Sequence, residues 1–90
     1  MNEPLLWQLI GGTRGGPTRL GILLVLNEEP LNANQICEAL NLDYKTVRHH
    51  LDILVKNSLV QVSKEKKYGE LYHINDYVRG KLLKLNLGKL

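Results

Sequence analysis

The stretch NANQICEALNLDYKTVRHHLDILVKN, from Asn32 to Asn57, predicts a short helix, a tight turn and a longer second helix. Asn32 can cap the first helix, and apolar residues follow at the three- and four-residue spacing of one helix face: Ile36, Cys37 and Leu40. The turn falls at residues 41–43, where Asp43 can cap the second helix. The rest of the chain is expected to support this pair of helices.

The second helix is predicted to have one apolar and one cationic face. Its inward stripe consists of Val47, His50, Leu51 and Leu54. At about 100° per residue, the outermost side chains are Lys45, His49, Asp52 and Lys56, with Arg48 beside them. Such a helix suits the major groove of DNA, where cations meet phosphates and hydrogen-bond donors reach base edges. This helix alone leaves open the alternative of an ordinary solvated face.

Length and charge limit the possible functions. Ninety residues make one small domain, with little room for a deep catalytic cleft. From Tyr44 onward there are ten Lys and Arg against four acids, whereas earlier there are two bases against five acids. This asymmetry favours a polyanionic partner for the second part of the chain.

The chain lacks the residues that several functional classes require. Cys37 is the only cysteine, so the chain has neither an internal disulfide nor a Cys pair for zinc or redox chemistry. No apolar run approaches the ~20 residues of a membrane span, and the start lacks a secretion signal. Paired carboxylates and Ser-His-Asp or Cys-His constellations are missing, so no enzyme and no cofactor are predicted. We expect a complete, cytoplasmic protein.

The first third of the chain is predicted to contain two helices joined by a glycine-rich loop. Pro4–Ile10 is a short apolar helix, and a second helix begins at Pro17 and runs to about Leu26, with Leu20, Leu23 and Leu24 facing inward. The loop GGTRGG between them is no phosphate-binding loop, because Pro17 occupies the position of the required lysine and no strand precedes it. Its Thr13 and Arg14 are possible contacts to a nucleic-acid backbone.

A basic β-hairpin is predicted after the second helix of the central pair. Residues 59–64 alternate apolar and polar side chains, residues 71–74 form the return strand, and Gly69 can adopt the positive φ that the turn needs. Its Lys64, Lys66 and Lys67 could reach the sugar-phosphate backbone or the minor groove. Leu31 can add a short β-bridge.

The last helix, from about Asp76, carries more apolar residues than one face can hold, including Leu83 and Leu87. The surplus favours a homodimer, with the N-terminal helix contributing to the same interface. The alternative is that the two terminal helices pack on each other within one chain. The predicted dimer interface consists of Leu5, Leu6, Trp7, Leu9, Val78, Leu82 and Leu85.

These elements predict a mainly α fold with a small β-hairpin (α+β), a winged helix-turn-helix with a three-helix core, a two-stranded wing and additional terminal helices. One domain, 1–90, would comprise an N-terminal helix (1–12), the core and wing (13–75) and a C-terminal dimerisation helix (76–90). Residues 42–54, LDYKTVRHHLDIL, followed by NSLV at 57–60, resemble the recognition helix and next strand of ArsR-like regulators. Residues 12–19 and 68–72 are similar to small archaeal members, and the resemblance covers about residues 13–74.

The resemblance implies a homodimeric, sequence-specific regulator of transcription that places its third core helix in the major groove of a palindromic site. Metal-sensing members use paired thiolates or clusters of His and carboxylates. This chain lacks a Cys-x-Cys motif, and the adjacent His49 and His50 point in different directions, so no metal site is predicted. The resemblance does not identify an effector.

The predicted function is therefore a double-stranded DNA-binding transcriptional regulator. A winged-helix module that docks an acidic protein is the alternative, which an apolar outer face on the recognition helix would favour. RNA is a weaker alternative, because A-form RNA does not offer a wide major groove. The predicted DNA-binding residues are Arg14, Tyr44, Lys45, Thr46, Arg48, His49, Lys64, Lys66 and Lys67.

Overall fold

The helix-turn-helix predicted around residues 32–57 lies at the centre of the protein. The structure, a computed structural model, describes residues 3–85. In chain order its elements are α1 (Glu3–Gly11), α2 (Gly16–Glu28), α3 (Ala33–Leu40), α4 (Tyr44–Lys56), β1 (Val60–Glu65), β2 (Gly69–Ile74) and α5 (Asp76–Lys84). The predicted winged-helix architecture is confirmed. The predicted continuation of the last helix past Leu85, with Leu87, lies outside the described residues.

Side-chain caps fix the turn between α3 and α4 at both ends. The Asn32 side chain accepts a hydrogen bond from the Gln35 amide, and the Gln35 side chain accepts one in return from the Asn32 amide, both at 2.8 Å. α3 ends at Asn41, whose φ of 55° is left-handed and reverses the chain. Asp43 then caps α4 by accepting from the Thr46 amide at 3.0 Å. Both predicted caps are confirmed, and they set the direction in which α4 leaves the turn.

α4 is held by its apolar side. Val47, Leu51 and Leu54 are fully buried and His50 is half-buried, which confirms the predicted stripe. Each apolar side chain buried in this way contributes about 1.5–3 kcal/mol to folding. The other elements and connections supply the remaining core residues: Leu6, Ile10, Ile22, Leu23, Leu26, Ala33, Ile36, Leu59, Val60, Tyr72, Ile74, Val78 and Leu82.

The buried face of α2 differs from the predicted one. We expected Leu20, Leu23 and Leu24 to face inward, but Leu20 and Leu24 are half-buried, and the fully covered apolar residues are Ile22, Leu23 and Leu26. The reason is that α2 contacts α1, α3, α4 and β2, so most of its circumference is covered. A single predicted stripe could not describe a helix with so many neighbours.

Arg19 of α2 is the buried polar residue of the described core, with 5% of its surface exposed. Its Nε donates to the Leu9 carbonyl at 2.7 Å, one Nη donates to the Thr13 hydroxyl, and the other lies 3.2 Å from Nδ1 of His50. Leu9 lies in the last turn of α1, so the cation sits at the negative end of that helix dipole. These bonds satisfy the buried charge and fasten α1 and α4 to α2.

The α1–α2 loop passes close to α4. A Cβ placed on Gly15 would lie 2.6 Å from a terminal nitrogen of Arg19 and 2.7 Å from Cε1 of His50. These distances are too short for a real Cβ, so a side chain at this position would have to displace the Arg19 guanidinium or the His50 ring from the contacts described above.

The return strand of the wing is longer than predicted, beginning at Gly69, whereas the first strand has the predicted length and is shifted by one residue. The antiparallel strands pair from Val60 with Ile74 to Glu65 with Gly69, which leaves residues 66–68 as the tip. Gly69 has the predicted positive φ, 74°. The predicted bridge at Leu31 is present, because its amide and carbonyl bond the carbonyl and amide of Tyr72 at 3.2 and 2.8 Å. The base of the wing is thereby joined to the segment that precedes α3.

The terminal helices are linked within the protomer. Lys81 of α5 lies 3.0 Å from the Glu3 carboxylate of α1, and the Tyr77 hydroxyl donates to the same carboxylate at 3.4 Å. Three residues of the predicted dimer interface, Leu6, Val78 and Leu82, are buried in the protomer's own core. They therefore have no surface to present to a second subunit, and the expectation must be corrected for these three. Within residues 3–85, no helix combines the length and apolarity that crossing a membrane requires.

We predict that His50→Gln reduces the pH dependence of stability. Because Arg19 can only donate, Nδ1 of His50 must accept, which requires the neutral ring. Burial, the Arg19 charge and His49 lower the pKa of His50. The neutral ring therefore contributes its full stability above the unfolded-state pKa of about 6.5, and this contribution is lost as pH falls through the lower folded-state pKa. A glutamine carbonyl can accept from Arg19 at every pH.

Denaturant midpoints at about pH 7.5 and about pH 5 measure the effect. Wild-type protein should lose more stability between these values than His50→Gln. The exposed neighbour provides the control: His49→Gln removes only the smallest of the three causes and should retain most of the wild-type difference. An equal loss in wild type and His50→Gln would contradict the assignment.

Candidate DNA-binding surface

The outer side of α4 is cationic. Lys45, His49 and Lys56 are exposed there, together with Asp52. Their exposure follows from the burial of Val47, Leu51 and Leu54, since the two sets occupy opposite sides of the same helix. The arrangement presents hydrogen-bond donors over most of the length of α4.

The first turn of α4 uses its polar groups partly for its own cap. The Thr46 hydroxyl donates to the Asp43 carboxylate at 2.6 Å, and this side-chain bond, with the Thr46 amide, lowers the pKa of Asp43. Thr46 is half-buried and its hydroxyl hydrogen is bonded to Asp43, so the hydroxyl can donate to a DNA phosphate, its predicted role, only after the cap rearranges. Tyr44 is exposed and leaves its phenol available.

Arg48 is only partly exposed, with 34% of its side chain accessible. One Nη donates to the Tyr72 hydroxyl and lies 3.5 Å from the Glu70 carboxylate. The other Nη lies 3.4 Å from Asp52, one helical turn further along α4. The guanidinium therefore joins α4 to β2.

Tyr72 completes this connection. Its hydroxyl donates to Glu70 at 3.3 Å while accepting from Arg48. Burial raises the pKa of the Tyr72 phenol, with Glu70 acting in the same direction and Arg48 against it. The phenol is thus a neutral donor between a cation and an anion.

The wing supplies a second group of cations. Lys64, Lys66 and Lys67 are all exposed, as predicted. The Lys67 ammonium lies 5.3 Å from the centre of the Tyr68 ring, a cation–π distance. An open hollow separates the wing from the starts of α3 and α4, and its lining is polar and aromatic: Asn32, Ala33, Asn34, Tyr44, Arg48, Tyr68, Glu70 and Tyr72.

Arg14 is exposed in the loop between α1 and α2. Its neighbours Thr13 and Gly15 lie against Arg19, and Gly15 also approaches His50 of α4. The loop therefore adjoins the middle of α4, on which the predicted DNA contacts are carried.

The histidines and the cysteine occupy separate environments. The His49 and His50 rings meet edge to face, with centroids 5.0 Å apart, and Nε2 of His73 lies 2.7 Å from the Ser63 hydroxyl on the wing. Cys37 is half-buried, and burial, with Asp43 and Glu38, raises the pKa of its thiol. Across residues 3–85, no three His, Cys, Asp or Glu side chains come close enough to hold a metal ion.

Sequence reasoning missed three residues that position the site: Arg19, Glu70 and Tyr72. Arg19 carried a signal, because it precedes Ile22 and Leu23 by the spacing of one buried helix face. Tyr72 could also have been identified, since it lies two residues before Ile74 and therefore on the same, inner face of β2. Glu70 had none, because its partner Arg48 is 22 residues away in the chain.

The sequence and the fold both match known regulators. Residues 16–62, just over half of the chain, match the family described as bacterial regulatory protein, arsR family. Over 66 residues the chain is 36% identical to an uncharacterized HTH-type transcriptional regulator, MJ1325, of Methanocaldococcus jannaschii, with 72% of this chain and 74% of that protein aligned.

Three solved structures are similar. A probable transcriptional regulator from Pseudomonas aeruginosa has a TM-score of 0.72 at 26% identity, covering 90% of this chain and 64% of that one. The transcriptional regulator BldR from Sulfolobus solfataricus has a TM-score of 0.73 at 18% identity, covering 93% and 63%. A variant of ZitR from Lactococcus lactis has a TM-score of 0.71 at 19% identity, covering 79% and 50%. The last two likenesses concern the fold alone, and this chain spans between half and two thirds of each solved chain.

The family match, the identity to an HTH-type regulator and the winged helix-turn-helix fold agree. The chain belongs to the arsR family of DNA-binding helix-turn-helix transcriptional regulators.

Proposed function

We propose that the protein is a cytoplasmic, sequence-specific regulator that binds double-stranded DNA as a homodimer, with α4 in the major groove and the wing on the backbone or in the minor groove. The observation that carries the proposal is the exposed cationic side of α4 next to a wing with three exposed lysines. An apolar outer side would instead have favoured docking to protein.

The proposed contacts divide into two groups. Lys45, Arg48 and His49 face base edges or nearby phosphates, because they project from the part of α4 that a major groove can admit. The other contacts reach the backbone and fix the register of the protein on the duplex: Arg14, Tyr44, Thr46, Lys64, Lys66 and Lys67.

The proposed dimer uses the apolar surface left by the terminal helices. In α5 and directly after it, Leu83 and Leu85 are 55% and 47% exposed. In α1, Trp7 and Leu9 are only half-buried. Covering these side chains with the same surface of a second subunit would give a two-fold dimer, which matches a two-fold symmetric DNA site.

Selection of bound sequences from random DNA duplexes tests the function most directly. We expect purified protein to enrich a two-fold symmetric motif. If the dimer neutralises about eight phosphates, the logarithm of the binding constant should fall with the logarithm of salt concentration at a slope of about −7. Absence of DNA binding at low salt, or an affinity independent of salt, would refute the proposal.

We predict that Arg48→Ala and Lys66→Ala have different effects. Loss of a base contact should weaken binding to the preferred site by roughly 1–3 kcal/mol and to random DNA by less. Loss of the wing lysine should weaken both similarly and make the salt slope shallower by about 1 per protomer. Titration of both duplexes with each variant measures the difference. Equal losses of affinity for the two duplexes in Arg48→Ala would show that Arg48 does not distinguish between sequences.

We predict that Leu85→Glu shifts the protein toward monomers. Leu85 is 47% exposed in the protomer, so covering the rest contributes about half of the 1.5–3 kcal/mol of a fully buried leucine, and with two copies in a two-fold dimer the dissociation constant should rise at least ~tenfold. Sedimentation equilibrium measures the shift. Ala39→Glu, which adds the same charge to an exposed position of α3, is the control and should leave assembly unchanged. An unchanged dimer in Leu85→Glu would show that the interface lies elsewhere.

A further inference from the structure

Arg48 is tied to a rigid part of the wing. Tyr72 is 3% exposed, and its backbone bonds Leu31 through both its amide and its carbonyl. The Tyr72 hydroxyl that accepts from Arg48 therefore cannot shift without moving the base of the wing. Glu70, on the same strand, contacts both groups.

The charge around Arg48 differs from that of the surrounding surface. One cation, Arg48, lies within 3.5 Å of two carboxylates, those of Asp52 and Glu70. The three groups sum to one negative charge, whereas on the rest of α4 and the wing exposed lysines outnumber the one exposed carboxylate, that of Glu65. A free arginine would bind phosphate in any sequence, whereas this local excess of negative charge repels phosphate.

We propose that Glu70 and Tyr72 are positioning residues that determine sequence specificity by holding the Arg48 guanidinium away from phosphates and in place for a base edge. This inference rests on the proposed DNA-binding function and adds a role for the wing in it. The wing then acts in two ways, since its lysines contribute affinity for any duplex while Glu70 and Tyr72 limit the contacts that Arg48 can make.

The effect of Glu70 on Arg48 can be separated from the general effect of removing a negative charge from the wing. Glu65, on the partner strand of the same hairpin, is exposed, and among the described residues it has no hydrogen bond or ion pair with Arg48. Glu70→Gln and Glu65→Gln remove the same charge from the same wing. Only Glu70→Gln changes the surroundings of Arg48, and its amide oxygen can still accept from Arg48 and Tyr72.

The measured quantity is the ratio of affinities for the selected duplex and for random duplex. Glu65→Gln should strengthen both by similar factors and leave the ratio unchanged. Glu70→Gln should strengthen binding to random duplex by roughly threefold more per protomer than binding to the selected duplex, because an exposed ion pair contributes at about this level. Its salt slope should become steeper by about 1 per protomer as Arg48 reaches a phosphate.

Two further variants test whether the effect runs through Arg48. Tyr72→Phe retains the buried ring and the net charge but removes the hydroxyl, and it should also lower the ratio. In an Arg48→Ala background, Glu70→Gln should become equivalent to Glu65→Gln. Thermal unfolding of each variant provides a structural readout, and a purely structural role would change unfolding temperatures without changing the ratio.

The outcomes separate the inference from the proposed function. If wild-type protein selects a site but Glu70→Gln equals Glu65→Gln, or keeps its excess effect in the Arg48→Ala background, the positioning role is refuted and DNA binding stands. If wild-type protein selects no sequence, the proposed function fails and the positioning role fails with it. A lower ratio in Glu70→Gln and Tyr72→Phe that disappears without Arg48 supports the inference.

Discussion

Burial of Val47, Leu51 and Leu54 is the constraint on which the DNA-binding surface depends. An isolated helix of 13 residues, the length of α4, is marginal in water, so α4 needs this packing to exist as a helix. Once the apolar side is fixed, the helical period determines which residues face outward. The caps at Asn32 and Asp43 then set the angle at which this face is presented.

Two arginines at α4, Arg19 packed against it and Arg48 within it, carry the same charge but have different roles because their surroundings differ. Arg19 lies beneath the helix, with the Leu9 carbonyl, the Thr13 hydroxyl and a ring nitrogen of His50 as acceptors, and it holds elements together. Arg48 lies at the rim among carboxylates and a phenol. A lysine, with its single ammonium group, could not bind three acceptors of either set in the planar arrangement of a guanidinium. Among the residues that the structure describes, the exposed lysines of the wing have no such network, and they suit the less directional contact with phosphate.

Features that depend on neighbouring residues could be predicted from the sequence. The caps, the α4 stripe, the positive φ of Gly69 and the Leu31 bridge each follow from local chemistry or from a short periodic pattern. The buried face of α2 could not be predicted as well, because its coverage depends on how many elements surround it. The network of Arg48 was inaccessible for a related reason, since its wing partners become neighbours only after the hairpin has folded back.

The terminal helices show the same limit. Their surplus of apolar residues was evident from the sequence, but its division between the protomer's core and its surface depends on tertiary packing. Leu6, Val78 and Leu82 are used inside, while Leu83 and Leu85 are not. A helical pattern indicates that apolar side chains must be covered, and only the fold indicates which of them are covered by their own chain.

Because of the bridge between Leu31 and Tyr72, the base of the wing has more backbone hydrogen bonds than its tip. At its base β2 is bonded on both edges, to β1 and to Leu31, whereas residues 66–68 at the tip have no such ladder. Amide hydrogens near Tyr72 should accordingly exchange slowly and those at the tip quickly. In the proposed complex with DNA, the base of the hairpin would hold the guanidinium of Arg48 in place, while the lysines at the tip, outside the ladder, would follow local differences in groove width.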